Sequence, residues 1–126
     1  MSQKKITEIM ETKIMANKTY KPLLIDSIKA ISNLNKNRFI GFDGDYCQDG
    51  AKALGVIDVE TEKDQFVPAT LSGILLVECG GTIAVGDEVA SDATGRAVVL
   101  STRAMSNGFA LDPGEEGDIV RIVRGI

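Results

Sequence analysis

Histidine is absent from the 126 residues. With it go the commonest general base, the commonest metal ligand and every Ser-His or Cys-His nucleophile pair. Tryptophan is absent too, and aromatic residues make up 5% of the chain, so a core has to be built from Ile, Leu, Val and Ala. Cysteine is limited to Cys47 and Cys79, far apart and in no CxxC pair. That pattern points to reduced, buried thiols and away from a redox motif or a zinc knuckle. No apolar run approaches the roughly 20 residues that span a bilayer. The N-terminus carries lysines without the apolar stretch of a secretion signal, so the expectation is a soluble protein made in a cytoplasm.

Charge is present but unevenly placed. The net charge is -4, yet residues 1–38 hold eight basic residues against three acidic ones, a net of +5, and residues 39–126 a net of -9. A basic arm on an acidic body suits an acidic surface on a partner or the body of a neighbouring copy. Nucleic acid ranks last, because the lysines are dispersed and not interleaved with aromatics. Simple solvated charge accounts for many of them equally well.

Two regimes of hydrophobic spacing divide the chain. In residues 1–18, Ile6, Ile9, Met10 and Ile14 fall at i, i+3, i+4 and i+8, the spacing of a short amphipathic helix, although Lys13 shares that face. A helix this short is marginal in water and needs a partner surface, so an ordered arm and a frayed terminus stand side by side as readings. From Thr19 on, short alternating runs are separated by Gly, Asp and Asn every eight to twelve residues. Strands are expected at residues 20–26, where Pro22 favours an edge, 38–42, 53–59, 82–85, 88–91, 96–101 and 118–123. A long run at 66–79 should break near Ser72-Gly73. Residues 103–107 read as a loop or one helical turn, and Asn107-Gly108 as a tight turn. The fold class is therefore mainly β: a single small β-barrel or β-sandwich of short antiparallel strands over residues 19–126, carrying an extended or short-helical N-terminal arm over residues 1–18.

The residues that could carry chemistry are better explained by turns. Asp43, Asp45 and Asp49 resemble the start of a calcium loop, but its fifth, sixth and twelfth positions hold Cys47, Gln48 and Leu54, where a ligand, Gly and Glu are required. The glycines at Gly80, Gly81 and Gly86 lack the Gly-Lys-Ser/Thr ending of a phosphate loop. Asp87 and Asp92 suit turns in which a carboxylate accepts from nearby backbone N–H groups. The pairs Glu60/Glu62 and Glu115/Glu116 sit in charged turns with no apolar pocket to shift a pKa. No catalytic residue, cofactor site or metal site is assigned, and an assembly protein is favoured over an enzyme.

Residues 54–100 read LGVIDVETEKDQFVPATLSGILLVECGGTIAVGDEVASDATGRAVVL. Gly55-Val56, Gly73-Ile74, Gly80-Gly81-Thr82-Ile83, Gly86-Asp87, Ser91-Asp92 and Gly95-Arg96-Ala97-Val98 follow one another in the order and spacing of the small decoration, or cement, proteins of tailed-phage capsids, which this chain resembles over roughly residues 19–124. The closing NGFALDPGEEGDIVRIV is similar to the same family's ending. Two departures stand out: Glu62-Lys63-Asp64-Gln65 holds no glycine where one is expected, and the arm before Thr19 is long. The resemblance implies a barrel-like domain on the outer surface of the virion head, bound to the major capsid protein, often as a homotrimer, without catalysis, cofactor, membrane or direct nucleic-acid contact. On that reading Ile6, Ile9, Met10 and Ile14 dock into a groove on a capsid subunit or neighbouring copy. Each buried side chain contributes about 1.5–3 kcal/mol before ordering costs, and Lys4, Lys5 and Lys13 steer the approach. A small ligand-binding or carrier β-domain is the alternative, weakened by the lack of a lysine in the turns at 92–95 and 107–108. A hydrolase or lyase built on unusual carboxylates is a third.

Overall fold

The longest alternating stretch of the sequence becomes the longest strand, and the other strands take their positions from it. The computed structural model describes residues 19–126. Its strands are β1 (Lys21–Lys29), β2 (Arg38–Ile40), β3 (Gly55–Ile57), β4 (Phe66–Glu78), β5 (Val89–Ser91), β6 (Ala97–Val99), β7 (Phe109–Ala110) and β8 (Ile119–Arg124). Among the described residues there is no helix. All strand pairs are antiparallel: a curled half-barrel sheet runs β2-β3-β4-β8-β7, with β1 on β4, and β5-β6 form a separate hairpin. The mainly β expectation holds. The amphipathic segment with Ile6, Ile9, Met10 and Ile14, and Lys4, Lys5 and Lys13 beside it, lies outside the described residues.

Strand β4 shows the period-2 logic most clearly. Val67, Ala69, Leu75 and Val77 are buried, while Phe66, Pro68, Ile74, Leu76 and Glu78 are exposed or half-exposed. One face of one strand thus serves two cores. Val67 and Ala69 pack with Ala30, Leu34, Ile40 and Ile57, and Leu75 and Val77 pack with Phe39, Val56, Ile83, Val120 and Ile122. Successive residues of β2 and β3 (Phe39 and Ile40, Val56 and Ile57) point into opposite cores, so these short strands are buried on both faces. Neither Cys47 nor Cys79 is in a disulfide, and both are buried.

The pairing pattern fixes where β3 and β8 lie. Ala69 and Thr70 pair with both β1 and β3, whereas Gly73 and Ile74 pair with both β1 and β8. A strand has two edges, so β1 occupies one edge of β4, and β3 and β8 share the other, end to end. No break occurs at Ser72-Gly73. The strand runs on through them, and the irregularity is a pair of register shifts on either side of Leu24 that leave Leu23 of β1 and Leu71 of β4 without a partner in the ladder. Gly73, at φ 118°, makes this possible: a Cβ there would press on the Lys21 carbonyl and stand 2.8 Å from Leu23 N.

Other departures from the sequence expectations have local causes. Residues 82–85 form no strand. Ile83 makes one two-way bridge with Gly114 (2.8 and 2.9 Å), and the Asp87 carboxylate, accepting from Ala84 N at 2.8 Å, turns the chain. The 53–59 run pairs only over Gly55–Ile57, because Ala53 N donates to the Asn107 side chain. Residues 101–104 close a turn through Ala104 N to Ser101 O at 3.2 Å. The turn expected to carry glycine holds Asp64 at φ 74°, in the left-handed region that Asp tolerates better than most residues.

Denaturant unfolding checks both backbone devices. Gly73→Ala should cost about 1–3 kcal/mol, the cost of a non-glycine residue in a strained backbone region. Asp64→Val should cost about 1–2 kcal/mol, and Asp64→Gly should be close to neutral.

Candidate functional site

The strongest feature of the described surface is apolar, not chemical. Among the described residues β1 pairs with β4 alone, and no described strand lies on its outer edge. Eight of its nine residues are exposed, Leu23, Leu24 and Ile25 among them, with Leu23 at 84%. Phe66, opposite Lys29 at the far end of the ribbon, is 72% exposed. Lys21, Lys29, Pro22 and the register shifts are the devices that keep a free edge from pairing at random. The apolar side chains do the opposite, and the combination marks a strand prepared for a specific contact.

A second row continues that surface across the sheet. Lys21 lies opposite Ile74, Ile74 opposite Val123, and Val123 opposite Phe109. Directly opposed residues of antiparallel strands project to the same face. Ile74, Val123 (41% exposed) and Phe109 (47% exposed) therefore form an apolar row over β4, β8 and β7 that meets β1 at Lys21, beside its exposed Leu23, Leu24 and Ile25. One register step on, Arg121 forks onto Asp112 (2.9 and 3.1 Å), and that carboxylate holds its guanidinium above the usual arginine range.

Beside this row lies a cavity of about 130 Å³ that Phe109 and Val123 help to line. Its charged lining side chains are Lys52 and Arg124, none of the lining side chains is acidic, and Gly125 and Ile126, the last two residues, line it as well. Arg124 is 3% exposed. It spans the place where β8 ends and the chain enters β3, donating from Nη1 to Leu54 O at 2.9 Å and from Nη2 to Ala53 O. Its Nε is buried without a partner. Burial holds its pKa below the usual arginine range, opposed by the neighbouring Cys47. Lys52 donates to Ser106 O at 2.8 Å, and burial followed by the charge of Arg124 lowers its pKa. Asn107 forms the wall: fully buried, it accepts from Ala53 N at 2.9 Å and donates to Ala51 O at 3.0 Å. Asn107-Gly108 had been read as a tight hairpin turn. It is instead a buried side-chain clamp followed by a glycine packed against Val123.

Most of the acidic residues singled out in the sequence are engaged by hydrogen bonds or an ion pair. Asp43 accepts from Asp45 N (3.0 Å), and Asp45 from Tyr46 N and Ser32 Oγ (both 2.8 Å). Asp92 accepts from Thr94 N (2.9 Å) and Arg96 N (2.8 Å), as its turn reading required. Glu115 accepts from Thr82 Oγ1 at 2.8 Å, and Glu116 lies 3.4 Å from Arg96. Burial lowers the Arg96 pKa, but Asp92, Glu116 and Glu78 outweigh it and the net direction is up. The Cys47 thiol is pushed up mainly by burial, against a hydrogen bond to Ser91 and the charge of Arg124. Reasoning from sequence missed the apolar strip and the Lys52–Arg124 cavity. The strip was legible in part, since Leu23-Leu24-Ile25 on an edge strand has no second strand to cover it.

The two kinds of surface predict different mutational costs. Leu23→Ser with Phe66→Ser should leave the unfolding free energy within about 0.5 kcal/mol, and Leu75→Ala, fully buried on the same ribbon, should cost about 2–5 kcal/mol.

Residues 22–125 match the family described as phage cement protein. No curated protein matches the chain. Among solved structures, it is similar to the N base of head fibre gp8.5 of bacteriophage phi29, with a TM-score of 0.68 and 22% identity over 81% of this chain and 93% of that one. At that identity the likeness is one of fold.

Proposed function

The chain belongs to the phage cement protein family, and from that premise we propose that it binds the outer surface of a phage head and stabilises it by bridging subunits of the major capsid protein. The supporting observation is the uncovered apolar strip: an edge strand with Leu23 84% exposed, continued by Val123 and Phe109, is a surface suited to burial against another protein. The reading is structural and needs no catalysis or cofactor.

Bridging works by linkage. A protein that binds the assembled shell and not its free subunits shifts the equilibrium towards the shell by the logarithm of its occupancy term. Assembly as a homotrimer would add avidity, since the second and third contacts become intramolecular. The arm over residues 1–18 adds reach: eighteen residues span up to about 60 Å extended or about 27 Å as a helix. In this account the apolar strip seats on one capsid subunit and Ile6, Ile9, Met10 and Ile14 engage a groove on the next, while Lys4, Lys5 and Lys13 steer the encounter. The protein would be made in the host bacterial cytoplasm and carried on the outside of the virion.

Co-sedimentation with undecorated heads tests this. Saturable binding that raises the temperature at which heads disrupt is expected. Deleting residues 2–18 should leave the fold intact and lower occupancy, and Leu23→Ser with Phe66→Ser should lower it independently. Heads that bind no protein at micromolar concentration would contradict the proposal.

A further inference from the structure

We infer that Lys52 and Arg124 form a pocket for a single oxyanion, and that its occupant is a carboxylate side chain of the protein on which the apolar strip seats. The second half rests on the cement reading; the first does not.

Three observations carry the inference. The first is an uncompensated charge. Arg124 is 97% buried, yet no carboxylate among the described residues pairs with it or with Lys52. Burying a guanidinium without an anion is costly, and backbone carbonyls offset that cost only in part. Two of its five N–H donors are engaged, by Leu54 O and Ala53 O. The second is the coincidence of like charges. In a body with net charge -9 over residues 39–126, two cations line one small cavity with no acidic side chain on its wall. Burial, and after it the positive charge of Arg124, lowers the Lys52 pKa. An anion between them would relieve that repulsion. The third is size and place. A volume of about 130 Å³ is roughly four times the ~30 Å³ share of a water in the liquid, room for one carboxylate and a water or two. Phe109 and Val123 belong both to the cavity wall and to the apolar strip, so a partner residue seated on the strip would have the cavity beside it.

The occupant is identified by charge complementarity and position. The guanidinium N–H groups of Arg124 not taken by Ala53 O and Leu54 O suit a carboxylate oxygen, and Lys52 supplies a second point charge. Such a contact selects partners: an acidic residue at the rim of an apolar patch satisfies the pocket, and an apolar or basic one leaves two cations buried and unpaired.

The test begins with the free protein. Acetate and inorganic phosphate are titrated separately at constant ionic strength, and amide NMR shifts of Lys52, Asn107, Gly108 and Gly125 are followed. Wild type should show saturable acetate shifts. Lys52→Met should weaken acetate binding about tenfold without loss of the folded spectrum. Lys52→Arg, which keeps the charge, should retain it. Arg124→Gln risks the fold and is read only if its spectrum stays native. The same Lys52→Met variant should occupy heads less than wild type does. Saturation by phosphate but not acetate would overturn the carboxylate assignment. Linear shifts identical in wild type and Lys52→Met would overturn the pocket itself. Because the titrations use no heads, failure of wild type to bind heads would count against the cement reading alone.

Discussion

A β-strand offers hydrogen bonds along two edges, and three strands pair with β4. The thirteen residues of β4 resolve the conflict by length: β1 takes one edge, and β3 and β8 divide the other. That division places the end of β8 against the start of β3, where the backbone has no ladder partner to continue. Arg124 fills the junction, reaching the carbonyls of Ala53 and Leu54 from across the gap. Asn107 satisfies the groups on the other side, Ala53 N and Ala51 O. Buried backbone polar groups must find partners, and here they find two long polar side chains in place of a strand. The cavity with two cations is a consequence of this splice.

The same constraint explains the apolar strip. β1 lies on the edge of β4 away from the β3–β8 splice, and no other described strand covers it. A glycine at position 73 lets it bulge, and Tyr20, whose hydroxyl lies 2.6 Å from Thr70 Oγ1, holds its start. Around the far end of β4, Glu78 gathers Arg38 (3.4 Å) and Arg96 (3.6 Å), which ties β2 and the β5–β6 turn to the strand end. These pairs are partly exposed and contribute little each. They orient the turns, and the two apolar cores supply the stability. The result is a molecule whose polar side is closed by turn hydrogen bonds and whose β1 side presents exposed apolar side chains.

Much of this was legible in the sequence wherever a residue's role is local. Alternation at 66–78 gave the long strand, Pro22 the edge position, and Asp87 and Asp92 their turns. Order and spacing of short turn motifs gave the family. What was not legible depends on contacts between residues distant in the chain. Asn107-Gly108 has the composition of a hairpin turn, but a partner more than fifty residues away claims its side chain. Ser72-Gly73 reads as a strand break because nothing local shows that the irregularity is shared with β1 and leaves the ladder running through it. Asp64 stands in for the expected glycine because its left-handed conformation costs Asp comparatively little. Arg124 ends an alternating strand, and only the splice of β3 and β8 buries it.

The central claim is that the β1 side of the molecule is the side that meets the shell. Hydrogen–deuterium exchange of the protein free and bound to undecorated heads measures this directly, because amides on a free edge exchange readily until a partner covers them. The account predicts slowed exchange on binding over residues 21–29 and around Phe109 and Val123, with the turns at 43–50 and 92–95 unchanged. Protection confined to those turns, with β1 exchanging as fast on heads as in solution, would contradict it.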